Sequence, residues 1–286
     1  MVLLGPPQEH AAQQRTAREI ERAGGLCAGR ARREGTTVPY HIAVRARLLT
    51  LAAGAVEAGE ALVALAARHT DPQALDYTYL QQAQPTTLAH YLLGFVYPVL
   101  RALERIEACY RRTNASPAGV GAVNGARWPL DRQRLADLLG FDGVVTHARD
   151  AMWQADHPVE VVSAASTLLL VLDRLAEDLQ VWCTSEFGIV ELADRHARAS
   201  MVMPQKKNPY ALAFVRGVAS TTVGQLAAMA ALGRTPSGQV DNRIFAYGEV
   251  PRLLERATET ARLMAGVLSG LVVDRYDDVL AVQILT

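Results

Sequence analysis

The chain lacks a net charge: 29 Lys and Arg balance 29 Asp and Glu over 286 residues. With no excess of one sign there is no long-range pull toward a phosphate backbone or an anionic lipid surface, which argues against an electrostatically driven nucleic-acid or membrane role. Cysteine is scarce as well. Cys27, Cys109 and Cys183 are odd in number, far apart, and show neither a CxxC pair nor a neighbouring histidine cluster. They read as reduced structural thiols, and no metal site is expected. No uninterrupted run reaches the roughly 18 to 20 apolar residues of a bilayer span; the nearest, Val161 to Leu172, contains Ser163, Ser166 and Thr167. The opening MVLLGPPQEH is too short and too soon broken by proline for a secretory leader. A cytoplasmic protein is the expectation. Half of the residues are apolar, enough for a sizeable core, so disorder is excluded as the dominant state.

What is present is alanine and leucine at helical spacing. After Pro158, the residues Val161, Ala165, Leu168, Leu172, Leu175, Leu179 and Trp182 step by 4, 3, 4, 3, 4 and 3, a seam of about 3.5 residues that predicts a long bundle helix. A second helix is predicted after Pro39 from Leu48, Leu51, Ala55, Ala58, Leu62 and Leu65. Others are predicted from Pro85 to Arg112 with a kink at Pro98, from Pro209 to Gly233, and from Glu249 to Leu271. The stretch from Gly217 to Leu232 has no charged residue, so it must be buried nearly all round. One chain is too small to cover five such helices, which predicts a homo-oligomer built on the bundle. The connections Asn114 to Pro129, Phe187 to Arg198 and Gly233 to Gly248 carry the helix breakers, and loops held by rigid helices are where chemistry sits.

The most informative stretch is Ser200-Met-Val-Met-Pro-Gln-Lys-Lys-Asn-Pro209. It sets a hydroxyl, two lysines and an asparagine on a loop that feeds a helix, with Asn208 as N-cap and Pro209 at the first helical position. Free N–H groups at that helix start favour an anion. Composition alone leaves two readings open, a carboxylate-binding loop and a solvated surface before a capped helix.

The SMVMPQKKNP run is similar to the signature loop of the fumarase/aspartase superfamily, and its MPQKKNP core resembles the argininosuccinate lyase branch. Two further blocks agree: Tyr77-Thr-Tyr-Leu-Gln-Gln-Ala-Gln-Pro85 with His90-Tyr-Leu-Leu, and Ala176-Glu-Asp-Leu179 with Thr184-Ser-Glu-Phe-Gly-Ile-Val-Glu-Leu192. Weaker likeness runs from Gly29 to Asp274. The resemblance implies an all-α fold whose long central helices associate into a homotetrameric bundle, with sites shared between subunits. On it, residues 1–37 are a shortened N-terminal segment, 38–272 the central helical-bundle domain and 273–286 a C-terminal stub in place of the family's C-terminal domain.

The implied chemistry is elimination of an amine from a small dicarboxylate, an N-substituted aspartate or succinate, releasing fumarate without metal or organic cofactor. Ser200 matches the catalytic serine as general base. Lys206 and Asn208 match residues that hold the developing anion, Thr78 a substrate-contacting threonine, and Gln84 lines the pocket. Arg32 matches the family arginine of a Ser-Arg-Asn-Asp segment that reads Ala31-Arg32-Arg33-Glu34 here, and Arg33 stands where an asparagine contacts the carboxylate. A guanidinium there either clamps the carboxylate or belongs to a solvated cluster. His90 is expected to be a hydrogen-bonded core residue, and His10 sits near a family histidine on the substrate side.

Two departures stand together. The family's Thr-His pair is Thr78-Tyr79, and the glutamate that orients the histidine is Ala213. Tyr79 either donates the leaving group's proton or packs beside the site. The family's Tyr-Asn-Lys-Asp block, which grips the amino-acid end of argininosuccinate, has no clear counterpart in Ser237-Gly-Gln-Val-Asp-Asn-Arg-Ile244. The pattern points to a lyase of altered substrate. The alternatives are argininosuccinate cleavage with a reorganised acid, and an inactive structural or regulatory paralogue, since the family includes lens crystallins.

Overall fold

Glu34 starts the first long helix. Its side chain reaches back to accept the Ala31 N–H at 3.2 Å, as a capping glutamate does, so α1 (Glu34–Ala67) begins before Pro39 and runs through it. The structure, a computed structural model, describes residues 29–70 and 73–273. Following α1 come β1 (Gln73–Thr78), β2 (Gln81–Thr87), α2 (Leu88–Thr113), β3 (Ala115–Ser116), α3 (Arg132–Leu138), β4 (Gly143–Val144), α4 (Ala148–Trp153) and α5 (Asp156–Trp182). The remainder is β5 (Val190–Glu191), a 3₁₀ turn (Asp194–His196), β6 (Arg198–Ala199), β7 (Lys207–Asn208), α6 (Tyr210–Leu232), α7 (Arg243–Ser269) and β8 (Val272–Val273). The expected all-α chain is thus mostly helical, but its described residues include four two-stranded sheets, and two of them hold predicted site residues.

The chain divides into two compact units, and segment 115–154 groups with the described residues 29–39. In the first unit, described over 29–39 and 115–154, β3 and β4 pair in parallel and Val120, Ala151 and Met152 form a small core. Arg132 ties the unit together by donating to the carbonyls of Ala118 and Val145.

The second unit is the helical bundle. Helix α5 packs on α2, α6 and α7, and every residue of its predicted seam is buried, as is every residue predicted for α1. Helix α1 runs beside α7, where Gly54 lets Thr258 and Ala261 approach and Arg47–Glu255 and Glu57–Arg262 pair at the rim. By length and composition α1 is long and apolar enough to cross a membrane, although polar residues interrupt its apolar runs. Its apolar positions Leu48, Leu51, Leu62 and Leu65 are core residues of the bundle. α2 continues through Pro98 to Thr113. α7 starts at Arg243, ahead of the predicted Glu249, because Arg243, Ala246 and Val250 extend the stripe of Leu253, Leu254 and Ala257 through a polar-looking segment. The buried thiol of Cys109 is pushed up to about 12 and that of Cys183 to about 11 by burial, which fits inert thiols; Cys27 lies outside the described residues.

One end of the bundle contains a buried polar cluster. His41 and His157 stack with ring centres 4.8 Å apart, and Tyr40 meets both edge-on. Thr113 links them, its carbonyl 3.3 Å from His41 Nδ1 and its hydroxyl 2.8 Å from His157 Nε2. Burial, with Arg243 adding repulsion, lowers the His41 pKa to about 4, and burial holds His157 well below its ordinary range. Both imidazoles are neutral when folded and protonate normally when unfolded. Stability is therefore whole above pH 6.5 and drains as the pH falls toward 4. At pH 5 the His41 contribution alone is a loss of about 2 kcal/mol, seen as a lower urea midpoint than at pH 7. A His41→Phe/His157→Phe variant is expected to flatten that dependence.

Candidate active site

The predicted site residues fall on two hairpins and one helix start. The first hairpin is β1–β2, closed by Tyr79 and Leu80 opposite the pair Thr78–Gln81. Both tip residues have positive φ, +55° and +58°, as a type I′ turn demands. Neither is glycine or asparagine, so the turn is strained at its tip. Tyr79 is 99% exposed and Leu80 60%, so burial does not compensate for the strain. Leu80→Gly is expected to raise stability by about 1 kcal/mol, read as a shift of the denaturant midpoint. Thr78 and Gln84 are exposed on the same hairpin. His90 is exposed too, contrary to its expected place in the core; its backbone N–H donates to the hydroxyl oxygen of Thr87, the N-cap of α2.

The second hairpin holds the signature loop. β6 pairs antiparallel with β7, Arg198 against Asn208 and Ala199 against Lys207. Inside it, the Ser200 N–H donates to the Lys206 carbonyl at 3.2 Å and the Lys206 N–H to the Met203 carbonyl at 2.9 Å. The Ser200 hydroxyl oxygen accepts two backbone N–H groups, from Val202 at 3.3 Å and from Met203 at 3.1 Å. Such a pair of fixed donors favours negative charge on that oxygen. Met201 and Val202 stand fully in solvent at the tip, and Lys206 is exposed.

Asn208 does not cap the helix. Its carboxamide donates to the Arg198 carbonyl at 3.1 Å, clasping the hairpin, and α6 begins at Tyr210 with Pro209 before it and no side-chain cap. Strand pairing has taken the residue that local propensity assigned to the cap. The first-turn N–H groups of α6 still open beside the loop, which keeps the anion-favouring end. Arg198 lies over the Tyr210 ring at 5.4 Å. Ala213 is exposed on the first turns of α6, a methyl where the family orients its histidine.

Lys207 was not among the predicted residues. Its ammonium lies 2.7 Å from Asp194 and 2.7 Å from Glu191; those hydrogen bonds raise its pKa and lower that of Asp194. Strand alternation next to Lys206 was the available signal. Glu34, the last residue of the Ala31-Arg32-Arg33-Glu34 segment, has a buried carboxylate that accepts the N–H groups of Gly119 at 2.7 Å and Gly121 at 2.8 Å; nothing in its local sequence signals this. Arg32 and Arg33 sit just ahead of it, Arg32 exposed and Arg33 half-buried, in the first unit. His10 lies outside the described residues. Among the described residues no group of three or more His, Cys, Asp or Glu is placed to hold a metal.

A family model described as lyase matches residues 10–224. The chain is similar to an argininosuccinate lyase of Geobacillus thermodenitrificans, 39% identical over 72% of this chain and 45% of that one. It is also similar to those of Methanococcoides burtonii, 33% identical over 88% and 52%, and Methanosarcina mazei, 33% over 92% and 53%. The chain thus spans about half the length of these relatives. Among solved structures it resembles an EDDS lyase in complex with formate, 32% identical with a TM-score of 0.79 over 86% of this chain and 49% of that one. An EDDS lyase variant with bound fumarate matches at 32% and a TM-score of 0.80 over the same shares. By family model, sequence and fold, the chain belongs to the lyase family, in the argininosuccinate lyase branch of the fumarase/aspartase superfamily.

Proposed function

We propose that this protein is a cofactor-independent carbon–nitrogen lyase that eliminates an amine from an N-substituted aspartate or related succinate to give fumarate. The observation that carries this reading is the Ser200 oxygen, held by two backbone N–H donors in the hairpin that also presents Lys206 and Asn208. Ser200 takes the proton from carbon next to a carboxylate. The doubly charged intermediate forms where Lys206, the second N–H of the Asn208 amide and the α6 terminus supply preorganised positive charge. The carbon–nitrogen bond then breaks, its electron pair leaves with nitrogen, and a proton from Tyr79 or solvent neutralises the amine. Thr78, Arg32 and Arg33 are read as carboxylate ligands and Gln84 as a pocket residue, in sites shared between subunits. The bound fumarate of the EDDS lyase variant supports a dicarboxylate site.

The exposed position of this loop fits a site completed by other copies, and we read the protein as a cytoplasmic homotetramer. Within residues 217–232, helix α6 buries Val218, Ala219, Thr222 and Met229 but leaves Val223 open, short of the all-round burial that the composition predicts; Phe214, just before that stretch, is open too. Leu49, Val56 and Val63 repeat along an exposed face of α1, beside an apolar groove of about 400 Å³ lined by Val56, Val63, Val96 and Leu100. Burial of these faces against further copies accounts for their composition.

The deciding experiment is fumarate release from a panel of N-substituted L-aspartates, argininosuccinate included, after the assembly size has been measured. Turnover of a non-guanidino substrate is expected. Turnover of argininosuccinate alone points to cleavage with a reorganised acid. No turnover from a folded tetramer favours the inactive paralogue, for which Tyr79 and Ala213 are the supporting observations.

A further inference from the structure

Lys206 stands just before β7, its carbonyl taking the Ser200 N–H, and Lys207 opens the strand; neighbours on extended backbone project to opposite faces. A one-residue slip in the β6–β7 pairing would exchange them. The hairpin has only two ladder pairs, Arg198 with Asn208 and Ala199 with Lys207, and its loop is exposed. Within the hairpin the Ser200 N–H bond to the Lys206 carbonyl and the Asn208 clasp on the Arg198 carbonyl add to that register, but neither ties it to the rest of the fold. Lys207 does: its ammonium is held at 2.7 Å by Glu191 and at 2.7 Å by Asp194. Glu191 lies in β5, between the buried Val190 and Leu192 and paired with β8. Asp194 opens the 3₁₀ turn that leads into β6.

We propose that Lys207 is a positioning residue, a register pin whose grip on Glu191 and Asp194 turns Lys206 to the opposite face and fixes Ser200 in the loop. This rests on the reading of Ser200 and Lys206 as the reacting pair. The pin does not touch substrate. It selects which of two chemically identical side chains the active face receives, a choice that the paired lysines leave open.

The test compares the intact protein with Lys207→Met, Lys207→Arg and a Glu191→Gln/Asp194→Asn double variant. Lys207 is a surface residue, so each variant is expected to fold, with the amide exchange of α5 unchanged as internal reference. The amides of Ser200 and Lys206, both hydrogen-bonded within the hairpin, are expected to exchange about tenfold faster in Lys207→Met. Fumarate-forming kcat is expected to fall by about 10- to 100-fold, since small misplacements of reacting groups cost that much, with KM within about twofold. Lys207→Arg restores most of both. The double variant reproduces the loss, and adding Lys207→Met to it costs nothing further. Unchanged exchange in Lys207→Met overturns the pin, whatever happens to kcat, because a fall in rate without loosening would mean that Lys207 acts on the substrate itself. If the unaltered protein releases no fumarate from the panel, the lyase reading fails, and the exchange measurement still decides the pin.

Discussion

Ser200→Ala is expected to lower fumarate-forming kcat by about a thousandfold while leaving the fold and assembly intact. Positioned proton transfer contributes roughly 10² to 10⁴ in rate, and the alanine removes the atom on which the Val202 and Met203 N–H groups converge. Those two donors matter because a serine hydroxyl is a poor base unless its oxygen is prepared for charge. Without the oxygen they return to solvent in an exposed loop, so stability changes little. Lys206→Ala is expected to cost about a hundredfold, by loss of charge stabilisation for the intermediate. The Ser200→Ala/Lys206→Ala variant should lose little beyond Ser200→Ala, because groups acting on one transition state are not additive. Steady-state kinetics on the best panel substrate, with circular dichroism as control, reads all three. Full turnover by Ser200→Ala would sink the serine mechanism.

Much of this arrangement could be read from residue order. The bundle was legible because α5 and α1 write their burial in period: each residue of the two predicted seams is in the core. Periodicity fails where polar side chains are buried. Arg243 sits in the core stripe of α7, so its helix looks like a loop, and His41 and His157 meet across more than a hundred residues with no local pattern between them. The signature loop was legible as a family motif, but its local form was not. Asn208 reads as an N-cap by propensity, and the β6–β7 ladder, invisible as a run of only two residues on each side, claims its amide instead. Likewise Tyr79-Leu80 carries no turn residue, so the positive φ of both could not be foreseen. These are places where tertiary context overrules local preference, and strain of that kind gathers at functional sites.

Glu34→Ala is expected to unfold the first unit locally, at a cost of about 3 to 5 kcal/mol. The Glu34 carboxylate is 2% exposed and accepts three backbone N–H groups, from Ala31, Gly119 and Gly121. Gly119 and Gly121 adopt φ of +74° and +68°, a backbone form that folds the loop into an anion nest around the carboxylate. Deleting the anion leaves the donors facing one another in a site water cannot fully reach. Glu34→Gln is no rescue, since one of its two acceptors becomes an NH₂ aimed at a donor. Gly121→Ala tests the same nest from the other side: its new methyl would stand 3.1 Å from the Gly125 carbonyl oxygen on a left-handed backbone. In all three variants amide exchange should accelerate through residues 115–154 while that of α5 is retained, because the two units have separate cores. Arg32 and Arg33 precede this anchor directly, so KM for the dicarboxylate should rise with the loss of local order. Unaltered exchange over 115–154 in Glu34→Ala would show that the nest does not hold the unit. A rise in KM with unaltered exchange would instead place the Glu34 carboxylate itself in substrate binding.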